Sequence, residues 1–181
     1  MGSHRMVTKQ VSFYEEMTNV PFIIAGPGIH PRQKPVEDLL TQPTIDLLPT
    51  LCELAGIPVP SSKPGISLAP FLKGEKQKRQ HPYAASEWHS EYEVTVSPGR
   101  MIRSPRYKYT HYLEGNGEEL YDMLKDKGER RNLAHDPKYS KILAEHRALL
   151  DDYIRRTQDD YRSLKVEADK RWRSHAPGYP N

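Results

Sequence analysis

The sequence predicts an α/β chain in two parts. Residues 1–75 read as part of an α/β core. Residues 76–158 read as a small α+β unit, a four-stranded antiparallel sheet with one long helix, and residues 159–181 as an irregular tail. Three observations carry this prediction. Val20 to Ala25 (VPFIIA) is an unbroken apolar run closed by Gly26-Pro27-Gly28, the pattern of a strand buried on both faces as in a parallel sheet. After the charged connector Glu75 to Gln80 the pattern changes to short strand-like runs. A single strong helical stripe then follows Asp136-Pro137.

In order along the chain, Tyr14, Glu15 and Glu16 read as a helical turn. Pro21 falls near the start of the apolar strand, where a missing N–H is tolerated. His30 to Pro35 is a polar loop. Ile45, Leu48, Leu51, Cys52 and Ala55 recur at intervals of three and four, which makes one apolar helical stripe. Pro49 fits only a first helical turn, so the regular helix is expected to begin near Asp46. Gly56 suits the left-handed position after a helix, and Pro58 stops continuation.

The later runs are Tyr83–Trp88, Arg100–Arg103, Tyr107–Tyr112 and Glu119–Tyr121. Turn formers at Pro98-Gly99, Ser104-Pro105 and Gly115-Asn116-Gly117 separate them, which predicts an antiparallel meander. Asp136 is a natural N-cap and Pro137 a natural first residue. Tyr139, Ile142, Leu143, His146, Leu149, Leu150 and Tyr153 form the stripe that should cover one sheet face. From Asp159 the pattern fades into an irregular tail, and its last stretch, WRSHAPGYPN, is expected to drape over the surface.

Composition narrows the function. A chain of 181 residues suffices for one core or two small ones. At 36% apolar and 28% charged residues it is polar but globular. Sixteen prolines and eleven tyrosines fit many turns and half-buried strands. The net charge of +3 comes from interleaved acids and bases, a solvated surface without the clustered cations of a nucleic-acid binder. No apolar run reaches the ~18 residues of a membrane-spanning helix. The single cysteine, Cys52, excludes an internal disulfide and is expected to be a buried structural thiol.

An ordered series of motifs carries a resemblance. It begins with Lys9 ahead of YEE and VP, a Pro-Gly loop, PTIDLLPTLCELAGIPVP and GISLAPFL. It continues with SEWH, GRMIRSPRYKY, GEELYDMLKDKGERRNLA and the final helix. Over residues 1–158 this series resembles the C-terminal portion of the sulfatase family, in the alkaline-phosphatase-like superfamily. The resemblance implies that residues 1–75 complete the edge of an alkaline-phosphatase-like sandwich core. It also implies an enzyme that hydrolyses sulfate esters, of a sulfated small molecule or glycan, in a periplasmic, secreted or lysosomal setting. Its nucleophile would be a formylglycine made from Cys or Ser in C/S-x-P-x-R, and a divalent cation, usually calcium, would hold sulfate oxygens through carboxylate ligands.

This chain contains no C/S-x-P-x-R and no D-H/N-G motif, and Cys52 sits in CELAG. The nucleophile and metal ligands are therefore expected upstream, with no metal ligand in this chain, which should be inactive alone. Its partner would be the missing N-terminal part of the same enzyme. The resemblance assigns Lys9 a catalytic role, because a fixed ammonium offsets negative charge building on sulfate and leaving oxygens, worth roughly 3 kcal/mol of barrier. It places His4 at the active-site rim and His89, at a strand end, within reach of substrate. Among the basic residues Arg100, Arg103, Arg106 and Lys108, Arg100 is the substrate-binding candidate; the rest are expected to face water or pair with acids. Tyr121, Asp122, Glu129 and Asn132 match a structural turn. Two other readings stay open: a phosphodiester or phosphonate hydrolase of the same superfamily, and a non-catalytic binding or assembly module.

Overall fold

The structure, a computed structural model, describes residues 4, 12–31, 35–36, 39–61, 64–76, 81–89, 98–113 and 117–164. These fall into two units: one within Val20–Ala84, the other joining the described residues of Met1–Asn19 to those of Ala85–Asn181. The sequence places a division after residue 75. In the structure the Phe13–Thr18 segment groups with the later strands, for a reason visible in the sheet.

That sheet has four strands in the order β1 (Ala84–Trp88), β2 (Gly99–Arg103), β3 (Tyr107–Tyr112) and β4 (Glu118–Asp122). β2 pairs antiparallel with β3, Ile102 opposite Tyr109, and β3 with β4, Tyr109 opposite Leu120. Paired residues share a face. Arg100, Ile102, Tyr107, Tyr109, His111, Glu118 and Leu120 therefore line one face. Met101, Arg103, Lys108, Thr110 and Tyr121 line the other.

The first face meets the long helix. Asp136 accepts a hydrogen bond from Lys138 N at 3.1 Å and Pro137 opens a 3-10 turn. The turn runs into a helix, Ser140–Thr157, that packs on β2 and β3 and buries Leu143, His146 and Leu150. His146 Nδ1 faces the Ile142 carbonyl oxygen at 2.8 Å, so its Nδ1 carries a proton. Its Nε2 then accepts from Ser104 Oγ at 2.9 Å. Beyond the helix Tyr161 is fully buried, and its hydroxyl donates to the His111 carbonyl oxygen at 2.8 Å. Asp159 and Tyr161 thus pack on the first face, where the buried Arg100 pairs with Asp159. The stretch WRSHAPGYPN, expected to drape over the surface, lies outside the described residues.

The second face meets the N-terminal segment. Phe13 is buried and lies 5.9 Å, centroid to centroid, from Tyr112. Gly99 admits it: a Cβ there would lie 2.6 Å from the Phe13 ring. A short helix α1 (Glu15–Thr18) follows. The sequence predicts cover on one face only; with both covered, β2 is buried at every residue but Arg103.

In the other unit, α2 (Pro43–Ala55) starts at Pro43, about one turn before the expected Asp46, and carries Pro49 in its interior. Proline cannot donate to the Ile45 carbonyl. Gly65, at φ +119°, lies against that carbonyl, where a Cβ would come within 2.1 Å of the oxygen. The following segment docks on α2 through polar groups. Ile66 N donates to Asp46 Oδ1 at 2.8 Å, and Leu68 N to Thr50 Oγ1 at 3.0 Å. His81 Nε2 lies 2.7 Å from the same Asp46 oxygen. α3 (Ala69–Leu72) comes next, and the long helix Ser140–Thr157 is α4.

The buried face of α2 is therefore Asp46, Pro49 and Thr50, while Leu47, Leu48 and Leu51 are exposed. This corrects the expectation that the apolar stripe faces the core. Periodicity shows which residues share a face, and not what that face touches. Cys52 is half-buried and free, less enclosed than expected. Val20–Ala25 forms no strand: Ile23 is 85% exposed. A ladder needs a neighbour to satisfy its N–H and C=O groups, and this run has none among the described residues.

Candidate functional site

Lys108 sits mid-strand in β3, on the face that meets the N-terminal segment. Its ammonium reaches Glu15 Oε1 at 2.6 Å and Glu129 Oε1 at 2.8 Å, and donates to the Phe13 carbonyl oxygen at 2.9 Å. The Lys108 and Glu129 side chains are each 1% exposed. Glu129 Oε2 accepts from Glu15 N at 2.7 Å. A single buried cation and two carboxylates thus clamp the YEE turn to the sheet, with each charge paired. Glu129 holds this position from a left-handed backbone conformation, φ 49°.

The clamp bears on the predicted site residues. His4, at φ 52°, stacks on Tyr14, ring centroids 3.6 Å apart and planes within 3°. Tyr14 precedes the clamped Glu15. Lys9 lies outside the described residues.

The second cluster surrounds Arg100, which is 0% exposed. Its Nε and Nη2 donate to the two Asp159 oxygens at 2.6 and 2.8 Å. Nη1 donates to the carbonyl oxygens of Trp88 at 3.0 Å and Gly99 at 2.8 Å. Nη2 also meets His89 Nε2 at 2.9 Å. The guanidinium lies over the Tyr161 ring, 4.4 Å from its centroid. Its hydrogen bonds hold the Asp159 carboxyl below the ordinary carboxylate range. His89 itself is exposed at the end of β1. Beside it, Glu87 accepts from the Tyr153 hydroxyl at 2.6 Å.

The remaining cations of the basic run also have acidic partners. Arg106 pairs with Asp122 at 2.7 Å, and Arg103 lies 3.9 Å from Glu15. Asn132 closes the turn after β4, accepting from Leu120 N at 3.0 Å and donating to the Glu118 carbonyl oxygen at 3.0 Å. Sequence reasoning places Glu129 in a structural turn and allows Lys108 an acidic partner, but it misses their burial together and misses Asp159. The one signal for Lys108 is its place between Tyr107 and Tyr109 in a strand rich in aromatic residues.

The chain matches the family described as N-sulphoglucosamine sulphohydrolase, C-terminal, over residues 2–156. The chain belongs to this sulfatase family. It is 77% identical, over all 181 residues, to the Delta 4,5-hexuronate-2-O-sulfatase of Bacteroides thetaiotaomicron, covering 100% of this chain and 38% of that protein. A solved structure of a 2-O GAG sulfatase superposes with a TM-score of 0.89 at 78% identity, over 98% of this chain and 38% of the other. A protein solved in complex with its substrate, D-glucosamine-2-N,6-O-disulfate, is 27% identical with a TM-score of 0.57, over 65% of this chain and 25% of the other. The chain thus spans well under half the length of these relatives.

Membership raises the question of what part of a sulfatase's cation site these residues could form. Among the described residues, His4, Glu16 and Glu129 bring one ligand atom each within 4.8 Å of one another. They do not fit calcium, which takes about six to eight hard oxygens. One donor is an imidazole, and Glu129 already meets the Lys108 ammonium and Glu15 N. The neighbouring aspartates late in the chain are likewise paired: Asp151 with Arg162, Asp152 with Arg155 and Arg156, and Asp159 with Arg100. No helix among the described residues is long and apolar enough to cross a membrane.

Proposed function

We propose that this chain is the C-terminal portion of a sulfatase that removes sulfate from a sulfated carbohydrate, with a 2-O-sulfated unsaturated uronate as the substrate class. The observation that carries this reading is the 77% identity to a hexuronate-2-O-sulfatase along the whole chain. On this reading residues 1–75 belong to the catalytic core, residues 76–158 to the C-terminal subdomain, and residues 159–181 to the tail. The preceding polypeptide supplies the formylglycine nucleophile and the ligands of a calcium ion. Together these provide attack on sulfur and charge stabilisation of sulfate oxygens. The exposed apolar side chains Ile23, Leu47, Leu48 and Leu51 support this reading, since such a surface fits cover by further polypeptide.

The roles left to this chain are electrostatic and positional. Lys9 offsets charge developing on sulfate and leaving oxygens. His4 contributes a ring edge at the site rim, its plane set by Tyr14. His89, backed by Arg100, contacts substrate from the sheet. The partners are the sulfated glycan and the N-terminal portion of the enzyme, with neither nucleic acid nor membrane involved.

The test is sulfate release from an unsaturated 2-O-sulfated disaccharide by the intact polypeptide with calcium. Turnover is expected there, with none from the 181-residue chain alone. Lys9→Ala should lower kcat by about 10²–10³-fold. Preferential turnover of phosphate or phosphonate esters would sink the sulfatase assignment.

A further inference from the structure

A guanidinium has five N–H donors and no acceptor. At Arg100 all five are engaged: two by Asp159, one each by the Trp88 and Gly99 carbonyl oxygens, and one by His89 Nε2. A saturated and fully buried guanidinium has no donor left for a ligand. Of its partners, His89 is the exposed side chain. Because Arg stays protonated throughout the working pH range, the His89 nitrogen facing it must accept. A neutral imidazole that accepts on Nε2 carries its proton on Nδ1.

We propose that Arg100 is a positioning residue: it fixes His89 as the Nδ1–H tautomer, so that the exposed imidazole presents one oriented donor to an oxygen of the sulfated substrate. The substrate part rests on the sulfatase reading above; the tautomer does not. No hydrogen bond to His89 Nδ1 occurs among the described residues, so that edge is the one offered outward. The arrangement is rigid at its base. Asp159 holds the guanidinium by two bonds, and the Tyr161 ring lies against its face at 4.4 Å. Tyr161 is tied in turn to β3 through the His111 carbonyl. An exposed histidine in water has no such anchor and exchanges between tautomers, so the buried Arg100 determines which ring atom can donate.

The experiment uses the intact polypeptide with 15N-labelled histidine. Long-range 1H–15N spectra distinguish protonated from unprotonated ring nitrogens, and His89→Gln assigns the signal by its loss. The expected result is a neutral His89 protonated on Nδ1; an Nε2–H form in the wild type overturns the proposal. Arg100→Lys removes the fork but keeps the charge, and should leave a mixture of tautomers. In kinetics, His89→Asn places an amide near the Nδ1 position and should retain kcat/KM within about threefold. His89→Gln places it near Nε2 and should lose about tenfold, the value of one hydrogen bond. Equal, wild-type-like kcat/KM for both variants overturns the donor role. Failure of the wild type to release sulfate from any sulfated disaccharide sinks the enzymatic reading and the substrate contact with it, while the spectra still decide the tautomer.

Discussion

The Lys108 ammonium lies 2.8 Å from the Glu129 carboxylate, with both side chains withdrawn from water. The pair joins a strand to a turn 21 residues later in the chain and, through Glu15, fastens the N-terminal segment to the sheet. Removing Lys108 leaves the Glu129 carboxylate buried without a cation, whereas removing Glu129 leaves Lys108 still paired with Glu15. Lys108→Met should therefore cost about 3–5 kcal/mol in urea unfolding, and Glu129→Leu less. The double replacement should recover part of that loss, since no orphaned charge remains between the two positions. Additive losses in the double variant would show that the pair does not act as a unit.

Gly65 occupies a position no side chain tolerates. Its φ of +119° and the Ile45 carbonyl, 2.1 Å from an added Cβ, act together, and the obstruction is backbone. Gly65→Ala should destabilise the unit by roughly 2 kcal/mol or more. Slower hydrogen exchange at Ile66 and Leu68 than in the wild type would contradict this; faster exchange at both is expected, because their bonds to Asp46 and Thr50 follow directly from Gly65.

Glu118 links β4 to α4. Hydrogen bonds from Arg147 lower its pKa from the ordinary 4.5 to about 2, against a desolvation cost and with help from Tyr109. A carboxylate with a depressed folded-state pKa adds stability that is fully present above the unfolded value, and that stability is lost as pH falls through the folded value. Thermal melts between about pH 5 and pH 2 should therefore show a Tm decline that Glu118→Gln makes shallower. Identical pH slopes for both proteins would remove Glu118 from the acid response.

His146 works in the same direction at higher pH. Burial pushes its pKa below the ordinary 6.5, and Ser104 already donates to its Nε2. Its stabilising contribution is complete above the unfolded value and declines as pH falls from there towards the folded pKa. His146→Gln should flatten the Tm profile below about pH 6.5, with little change in slope above it.

The exposed face of α2 makes a prediction about solution behaviour. Leu47, Leu48 and Leu51 are each about half exposed, and Ile57 more so. The isolated chain should self-associate in sedimentation, and the triple change of these leucines to lysine should reduce association. Since none of the three packs in the described core, the far-ultraviolet circular dichroism should stay that of the parent.

Local chemistry made much of this protein legible. The meander of β2 to β4 follows from short aromatic and β-branched runs cut by Pro and Gly. The start of the last helical segment follows from Asp136 and Pro137, and the buried positions Leu143, His146 and Leu150 from a 3.6-residue period. The family itself was readable from motif order, because turn formers, caps and apolar runs are local and survive in sequence. The candidate site was less so. His4, Lys9 and His89 carry signals only through resemblance, Glu129 is marked only as a turn residue, and Asp159 has no local pattern that marks it out.

What tertiary structure alone decided is which faces touch. The apolar stripe of α2 and the run Val20–Ala25 read as core, yet α2 buries Asp46 and Thr50 while its leucines and Ile23 remain exposed. Lys108 reads as a cation that faces water or pairs with acids and Arg100 as a substrate-binding candidate, yet each is buried against a carboxylate, Glu129 21 residues and Asp159 59 residues further along the chain. Periodicity and propensity act over one turn or one strand and so determine elements and caps. Burial of a charge depends on a partner brought in by the rest of the chain, and that pairing exists only once the fold has formed.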